Sequence, residues 1–172
     1  IIHLNRQLKR CVTGKPFKVS ILSNVIVNAL KEPLEYIIRL NNLNPEIIFG
    51  NYDNIVQDSK NHADCDLVII IYELLSIVEN VDEFIEGWPN ETLFQVQEKI
   101  NREVDLVLHN LSKTPKIFFN SFSALPFTNS YLLQNKLNHL VLLLNTNLLS
   151  KNQKNLTLLD IDRLVSEIGK KN

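Results

Sequence analysis

The sequence predicts an α/β fold: a three-layer α/β/α sandwich on a five-stranded parallel sheet, with the strand order 2-1-3-4-5. Strand-like and helix-like segments alternate along the whole chain. The third strand-like segment, CDLVIIIYELL (65–75), is a continuous apolar run rich in β-branched residues, which is typical of a central strand buried on both faces. Because parallel crossovers are right-handed, this alternation places helices on both faces of the sheet.

The first half of the chain supplies two strands and two helices. FKVSIL (17–22) is the first strand, and PEIIFG (45–50) is a short second strand that ends at Gly50. Pro33 suits the first turn of the helix between them, where its missing N–H costs nothing. A brief helix at 53–59 follows the second strand. The apolar residues at helical spacing in the first helix are Leu30, Leu34, Ile37 and Ile38.

The second half repeats the pattern with longer helices. A helix at 90–113 is predicted to begin with Asn90 as its cap, and strands at 115–122 and 155–160 enclose a long helix at 129–151. A closing helix starts at Ile161. The predicted apolar stripes comprise Leu93, Val96, Ile100, Val104, Val107, Leu108 and Leu111, then Leu133, Leu137, Leu140, Val141, Leu144 and Leu148, and finally Ile161, Leu164, Val165 and Ile168.

The length and net charge of the chain limit the classes of protein to which it can belong. A chain of 172 residues that is 45% hydrophobic can close one good core, so we expect a single domain over 1–172 with residues 1–15 as an N-terminal extension. A net charge of -1 offers no summed field to recruit nucleic acid or an anionic membrane. No apolar run is long enough to span a bilayer and no signal peptide is present, which predicts a cytoplasmic protein. The absence of methionine suggests a piece of a longer protein.

No metal or cofactor is predicted for this domain. Cys11 and Cys65 are far apart and have no histidine at ligand spacing. The acidic pairs in DCD (64–66) and DID (160–162) lack a third ligand, and Asp160 is better interpreted as the cap of the last helix. The glycine-rich loops that cradle phosphates are missing. The first loop has too few hydroxyl groups to bind a flavin and too few acidic residues for a response regulator.

A site on this fold would lie at the carboxyl ends of the strands, near the first and third. The candidate pocket residues there are Ser23, Asn24, Gly50, Asn51, Tyr72, Glu73, Asn120 and Ser121. Ser23 could act as a nucleophile, with Asn24, Asn51 and Asn120 as amide donors to an oxyanion. A base is not evident, because the histidines precede the third strand, lie in predicted helices or precede the domain.

The loop at 74–94 carries Phe84 and Trp88 beside several acids and is expected to overhang this pocket. It could be a recognition lid. Alternatively, Trp88 covers the core beneath the loop, which is the commoner use of such a residue.

Four segments in order resemble the N-terminal SGNH-like domain of FkbH-like proteins. They are KVSILSNVIVNALKEPLEYIIRLNNLNPEIIFGNYDNIVQDS (18–59), DCDLVIIIYELL (64–75), PKIFFNSFSALPF (115–127) and LTLLDIDRLVSEIG (156–169). The resemblance covers about residues 10–170. It implies that a HAD-type phosphatase-like domain with a DxDxT motif and Mg²⁺ follows, and that the parent protein loads a glyceryl unit onto an acyl carrier protein in natural-product biosynthesis. No DxDxT motif occurs here.

Active SGNH hydrolases carry a Gly-Asp-Ser block, an Asn-Asp block and an Asp-x-x-His block. Aligned with the first block, Ser23 falls at the glycine, Asn24 at the aspartate and Val25 at the nucleophile. YELL replaces the second block, and the closing segment has no histidine. The resemblance therefore implies a non-catalytic domain that docks a carrier protein, a HAD-like domain or their substrate. The alternatives are an esterase or deacetylase using Ser23, and a flavodoxin-like or receiver-like binding domain.

Overall fold

Five parallel strands form the centre of the molecule. The computed structural model describes residues 2–78, 81–124 and 135–169. Its strands are β1 (Pro16–Ser23), β2 (Asn44–Phe49), β3 (Leu67–Ile71), β4 (Lys116–Asn120) and β5 (Leu156–Leu159). They pair in the order β2-β1-β3-β4-β5, and every pairing is parallel. The predicted fold class and strand order are confirmed.

Eight α-helices in the described residues connect and flank these strands. They are α1 (Ile2–Cys11), α2 (Lys31–Leu40), α3 (Ile55–Asn61), α4 (Leu74–Ile77), α5 (Val81–Phe84), α6 (Asn90–Asn110), α7 (Asn135–Ser150) and α8 (Ile161–Gly169). The predicted start of the long seventh helix, with Leu133, lies outside the described residues. Each strand is thus followed by at least one helix, as the alternating pattern predicts.

The larger core lies between one face of the sheet and the helices α3, α6 and α7. Alternate strand residues such as Val68, Ile70 and Phe119 point into it, as the period of two requires. The predicted apolar stripes of α6 and α7 are confirmed, because their described members lie against this core. Trp88 also packs against it while Phe84 stays exposed, so Trp88 covers the core as the second interpretation of the loop proposed.

The smaller core lies on the other face, around Val19, Ile21 and Ile69. Leu34 and Ile38 of α2 cover it in part. Helix α8 covers it less well, because the side chains of its apolar stripe remain substantially exposed: Leu164 by 47%, Val165 by 55% and Ile168 by 64%. This face of the sheet therefore keeps an open apolar surface beside α8.

Several element boundaries differ from the prediction by a few residues, and two of the differences have a visible cause. The third strand ends at Ile71 rather than at residue 75, because Glu73 starts a new helix: its side chain accepts a hydrogen bond from the N–H of Ser76 at 2.9 Å. Asn90 is the first residue of α6 and not its cap. The preceding Pro89 holds the cap position, and its carbonyl accepts the N–H of Leu93 at 3.2 Å.

The N-terminal extension contains helix α1, which the sequence did not predict. It packs on α2 through a polar contact in which Arg39, only 3% exposed, donates to the side chains of Asn5 and Glu35. Asn5 is itself buried and donates to the carboxylates of Glu32 and Glu35. Each charged side chain in this contact has a partner of opposite sign or an amide, and these bonds fix α1 against the domain, while Nε of Arg39 is buried without a partner among the described residues.

The α1–α2 contact should lose strength in acid. Burial alone would raise the pKa of Glu35, but hydrogen bonds from Arg39 and Asn5 outweigh it and hold this pKa below the ordinary value of 4.5. A carboxyl whose pKa is lowered by folding contributes stability above its unfolded pKa and loses it as the pH falls through the folded pKa. We therefore expect the urea midpoint of Glu35→Gln to fall less than that of the wild type when the pH is lowered from 6 to 3. These two pH values lie on either side of 4.5, about a unit or more from it.

Exposed Glu91, in the first turn of α6, provides the matched control. Glu91→Gln should keep the wild-type pH dependence of the urea midpoint. An unchanged pH dependence in Glu35→Gln would show that the carboxylate contributes nothing to this contact.

Candidate functional site at the carboxyl edge of the sheet

Ser23 ends β1 and bends the chain with its own side chain. Its hydroxyl donates to the carbonyl of Val25 at 2.9 Å and accepts the N–H of the same residue at 3.0 Å. The residue is 6% exposed. Such a turn is a common use of serine after a strand, and it occupies both the proton and a lone pair of the hydroxyl.

Asn24 is fully buried and joins the end of β1 to the segment after β3. Its side-chain amide donates to the carbonyl of Glu73 and accepts the N–H of Glu73, both at 2.8 Å. Its own N–H reaches the carbonyl of Ile71 at 3.3 Å. The side chain thus continues the β1–β3 pairing for one more residue after the strands have ended.

Asn120 makes the equivalent contact from β4. Its carbonyl oxygen accepts the N–H of Tyr72 at 2.7 Å, and its amide donates to the Tyr72 carbonyl at 3.2 Å. The next residue, Ser121, accepts the N–H of Ile161 at 3.1 Å through its hydroxyl and so ties β4 to the start of α8. The backbone of residues 72–73 is therefore held from both sides by asparagine amides.

A buried carboxylate that the sequence reasoning missed, Asp58, shapes the turn after β2. It is 2% exposed and accepts hydrogen bonds from the N–H of Asn51 at 2.5 Å and from the side-chain amides of Asn51 and Asn54. Gly50 lies directly against it: a Cβ at that position would be 2.8 Å from an Asp58 oxygen and 2.8 Å from Leu22 Cδ2. In the sequence, the signal that could have revealed this cluster was the spacing of Asn51, Asn54 and Asp58.

The predicted pocket residues do not line one pocket. Ser23, Gly50 and Asn51 line a cavity of about 340 Å³ next to residues 25–28. Glu73 lines a separate groove of about 530 Å³ between α2 and α8, together with Asn120 and Ser121. Tyr72 borders that groove and also a third cavity of about 370 Å³. Asn24 lines none of the three.

The accessible surface inside the groove between α2 and α8 is almost entirely apolar. Its floor is the strand surface at Ile69, Ile71 and Phe118, and its walls include Ile37 and Ile161. Ile37 is 55% exposed. The groove includes Ile161, the first residue of α8, and apolar patches of this kind on a monomer often mark a place where another molecule binds.

Tyr72 provides the strongest electrostatic perturbation at this edge. Burial raises the pKa of its phenol, and the hydrogen bond that the phenol donates to the carboxylate of Glu103 raises it further. The phenol therefore stays protonated and neutral over the physiological pH range, as a hydrogen-bond donor.

None of the three cavities has a histidine in its lining. His3 lies in α1, His62 follows α3 before β3, His109 lies in α6 and His139 in α7. Asp160 caps α8, since one of its carboxylate oxygens accepts the N–H of Arg163 at 3.0 Å. The described residues contain no cluster of three or more histidine, cysteine or acidic side chains able to hold a metal ion.

Within the described chain, no helix is both long and apolar enough to cross a membrane.

No protein-family model and no curated protein matches the sequence. The fold is similar to a crystal structure of the N-terminal part of the protein BF1531 from Bacteroides fragilis, which contains a phosphatase domain and is complexed with Mg. The TM-score is 0.69 at 14% sequence identity.

This likeness covers 97% of our chain and 47% of the solved one. The chain thus spans about half the length of that structure, and at this identity the likeness establishes the fold alone.

Proposed function

We propose that this chain is a non-catalytic SGNH-like N-terminal domain of an FkbH-like protein and serves as a docking platform. Its partner is an acyl carrier protein or a HAD-like domain. The HAD-like domain would contain the catalytic residues and the Mg²⁺. The parent protein would transfer a glyceryl unit to the carrier. This role rests on the resemblance of the four sequence segments and on the geometry of the carboxyl edge.

One observation carries the proposal: the side chains at the carboxyl edge that could serve acyl transfer, those of Ser23, Asn24 and Asn120, are engaged in hydrogen bonds that hold the fold together. The Ser23 hydroxyl is engaged with Val25, and the amides of Asn24 and Asn120 are engaged with the backbone of residues 72–73. An acyl-transfer site needs a serine hydroxyl beside a base and donors aimed at an oxyanion. Groups that hold the fold together are poorly placed for either task.

The groove between α2 and α8 supports the docking half of the proposal. It presents apolar side chains at the edge where the polar ones are occupied. Binding there would remove the exposed side chain of Ile37 and the apolar surface of the groove from water, and burial of apolar area is the main driving force of association.

An esterase using Ser23 remains the second candidate from the sequence. It would have to break both hydrogen bonds between Ser23 and Val25 and find a base. The cavity that contains Ser23 is lined by Ile21, residues 25–28 and residues 49–52, none of which is a histidine or an acid. No specific contact favours this function.

The docking proposal is tested by titrating the chain with an acyl carrier protein and, separately, with an FkbH-type HAD-like domain. Binding of one of them, measured by isothermal titration calorimetry, is expected. Ile37→Glu places a charge in the groove and should weaken the binding of that partner about tenfold or more. Ile37 is exposed enough for the variant to fold.

Leu142, which is 61% exposed on α7, provides the matched control. Leu142→Glu should bind like the wild type. The proposal fails if neither partner binds the wild type, or if the Ile37 and Leu142 variants bind equally well.

A further inference from the structure

The third cavity lies on the other side of the carboxyl edge and is not part of the docking surface. Its volume of about 370 Å³ falls in the usual range for small-molecule sites, roughly 300–1,000 Å³. It lies beside the end of β3, adjacent to β1, where the strand order reverses and where ligands of such sheets bind. Its lining comes from α3, α4, α6, the turn before α3 and Tyr72.

The charges in this cavity do not balance. Lys99 and Glu103 face each other one helical turn apart on α6, with Nζ and Oε1 separated by 4.0 Å, and their charges cancel. Asp53 is the remaining charged residue of the lining. Asp53 is exposed at the rim, and its carboxylate has no hydrogen-bond or ion-pair partner among the residues that the structure describes, so one negative charge of the lining has no counter-charge from the protein.

The backbone holds Asp53 in place at this rim. Its φ is 55°, in the left-handed region that aspartate and asparagine tolerate better than most residues, and its N–H donates to the carbonyl of Ser23 at 3.2 Å. The carboxylate is therefore presented by a fixed turn next to the buried Asp58 cluster, rather than by a freely moving loop tip.

Tyr72 and Glu103 form the opposite wall. Tyr72 donates its phenolic proton to Oε2 of Glu103, and Oε1 of Glu103 faces Lys99. Gln57 and Ser76 add polar groups to the lining, while Val56 and Ile77 supply apolar surface. The cavity thus offers a carboxylate at one side, hydrogen-bonding groups around it and a short apolar wall.

We infer that this cavity binds a small organic cation with one primary ammonium group and at least one hydroxyl group. The ammonium pairs with the carboxylate of Asp53, which neutralises the cavity. The hydroxyl group exchanges hydrogen bonds with the polar side chains of Gln57 and Ser76, and the carbon chain lies against Val56 and Ile77. An anion would be repelled by Asp53, and a divalent metal would want more carboxylate ligands than the described residues bring together here.

Ethanolamine is the probe, with ethylene glycol as its uncharged analogue and glycolate as its anionic one. Amide chemical shifts of the ¹⁵N-labelled chain are followed by NMR as each compound is added to millimolar concentrations. Ethanolamine should shift the amides of residues 53–57 and 76–77 in a saturable manner, and the other two compounds should not. Asp53→Asn, which tolerates the same backbone, should weaken ethanolamine binding about fivefold or more.

Asp64→Asn removes the same charge from an exposed carboxylate at the opposite edge, beside Lys18, and should leave ethanolamine binding unchanged. The inference is overturned if ethanolamine shifts none of these amides, if ethylene glycol or glycolate shifts them equally, or if Asp53→Asn binds as the wild type does. None of these outcomes bears on the docking groove between α2 and α8, so the two proposals stand or fall separately.

Discussion

Asn24→Asp is expected to lower the free energy of unfolding by about 3 kcal/mol or more. The side chain of Asn24 is fully buried, and its amide donates to the carbonyl of Glu73 while its oxygen accepts the N–H of the same residue. An aspartate has the same shape, but as a carboxylate it cannot donate and would place a negative charge against that carbonyl. The Glu73 carbonyl would lose its partner as well. Urea denaturation at neutral pH gives the free energy.

Asn152 is exposed in the loop between α7 and β5 and provides the matched control. Asn152→Asp makes the same chemical change and should alter the free energy of unfolding by less than about 0.5 kcal/mol. Equal stability of the Asn24 and Asn152 variants would contradict the role assigned to Asn24 as the link between β1 and β3.

Asp58→Ala should cost a similar amount, about 3 kcal/mol. The buried carboxylate accepts hydrogen bonds from the N–H of Asn51 and from the side-chain amides of Asn51 and Asn54. Its removal leaves these donors without their acceptor and opens a space against Gly50. The turn after β2 should loosen, visible as faster hydrogen exchange at residues 50–54.

Asp58→Asn separates the two causes, since it keeps the volume and one acceptor oxygen. Its loss should be about half that of Asp58→Ala. A wild-type exchange rate at residues 50–54 in the alanine variant would show that the carboxylate does not organise this turn.

The sheet could be predicted from the sequence because its signals are local and mutually consistent. The apolar run that contains β3 is flanked by amphipathic segments, and right-handed crossovers leave few ways to order the strands. The inward stripe of α7 could be predicted for the same reason. Helix α1 could not, since its contact with α2 depends on buried polar groups, Asn5 and Arg39, that look like surface residues in sequence.

The exposure of the apolar side of α8 could not be predicted either. A stripe such as Leu164, Val165 and Ile168 shows that one side of a helix is apolar, but not that this side is covered. In the structure these side chains stay exposed. The pattern indicated an interface without identifying whether it lies inside the domain or between this domain and another molecule.

At the candidate site, the sequence indicated which residues end the strands but not what they do there. Asn24 and Asn120 look like oxyanion donors in sequence, because an amide side chain gives no sign of which backbone groups it will pair with. The structure pairs both with residues 72–73. Glu103 was missed because it lies far along α6 in sequence, with no motif linking it to Tyr72.

The central claim, that this edge of the sheet holds no working nucleophile, is tested most directly with a fluorophosphonate probe, which labels an activated serine covalently. The folded chain is incubated with the probe and analysed by peptide mass spectrometry. We predict no adduct at Ser23, because its hydroxyl is engaged with Val25 and no base lines its cavity. A stoichiometric adduct at Ser23, absent from Ser23→Ala, would contradict the account and make the esterase the leading function.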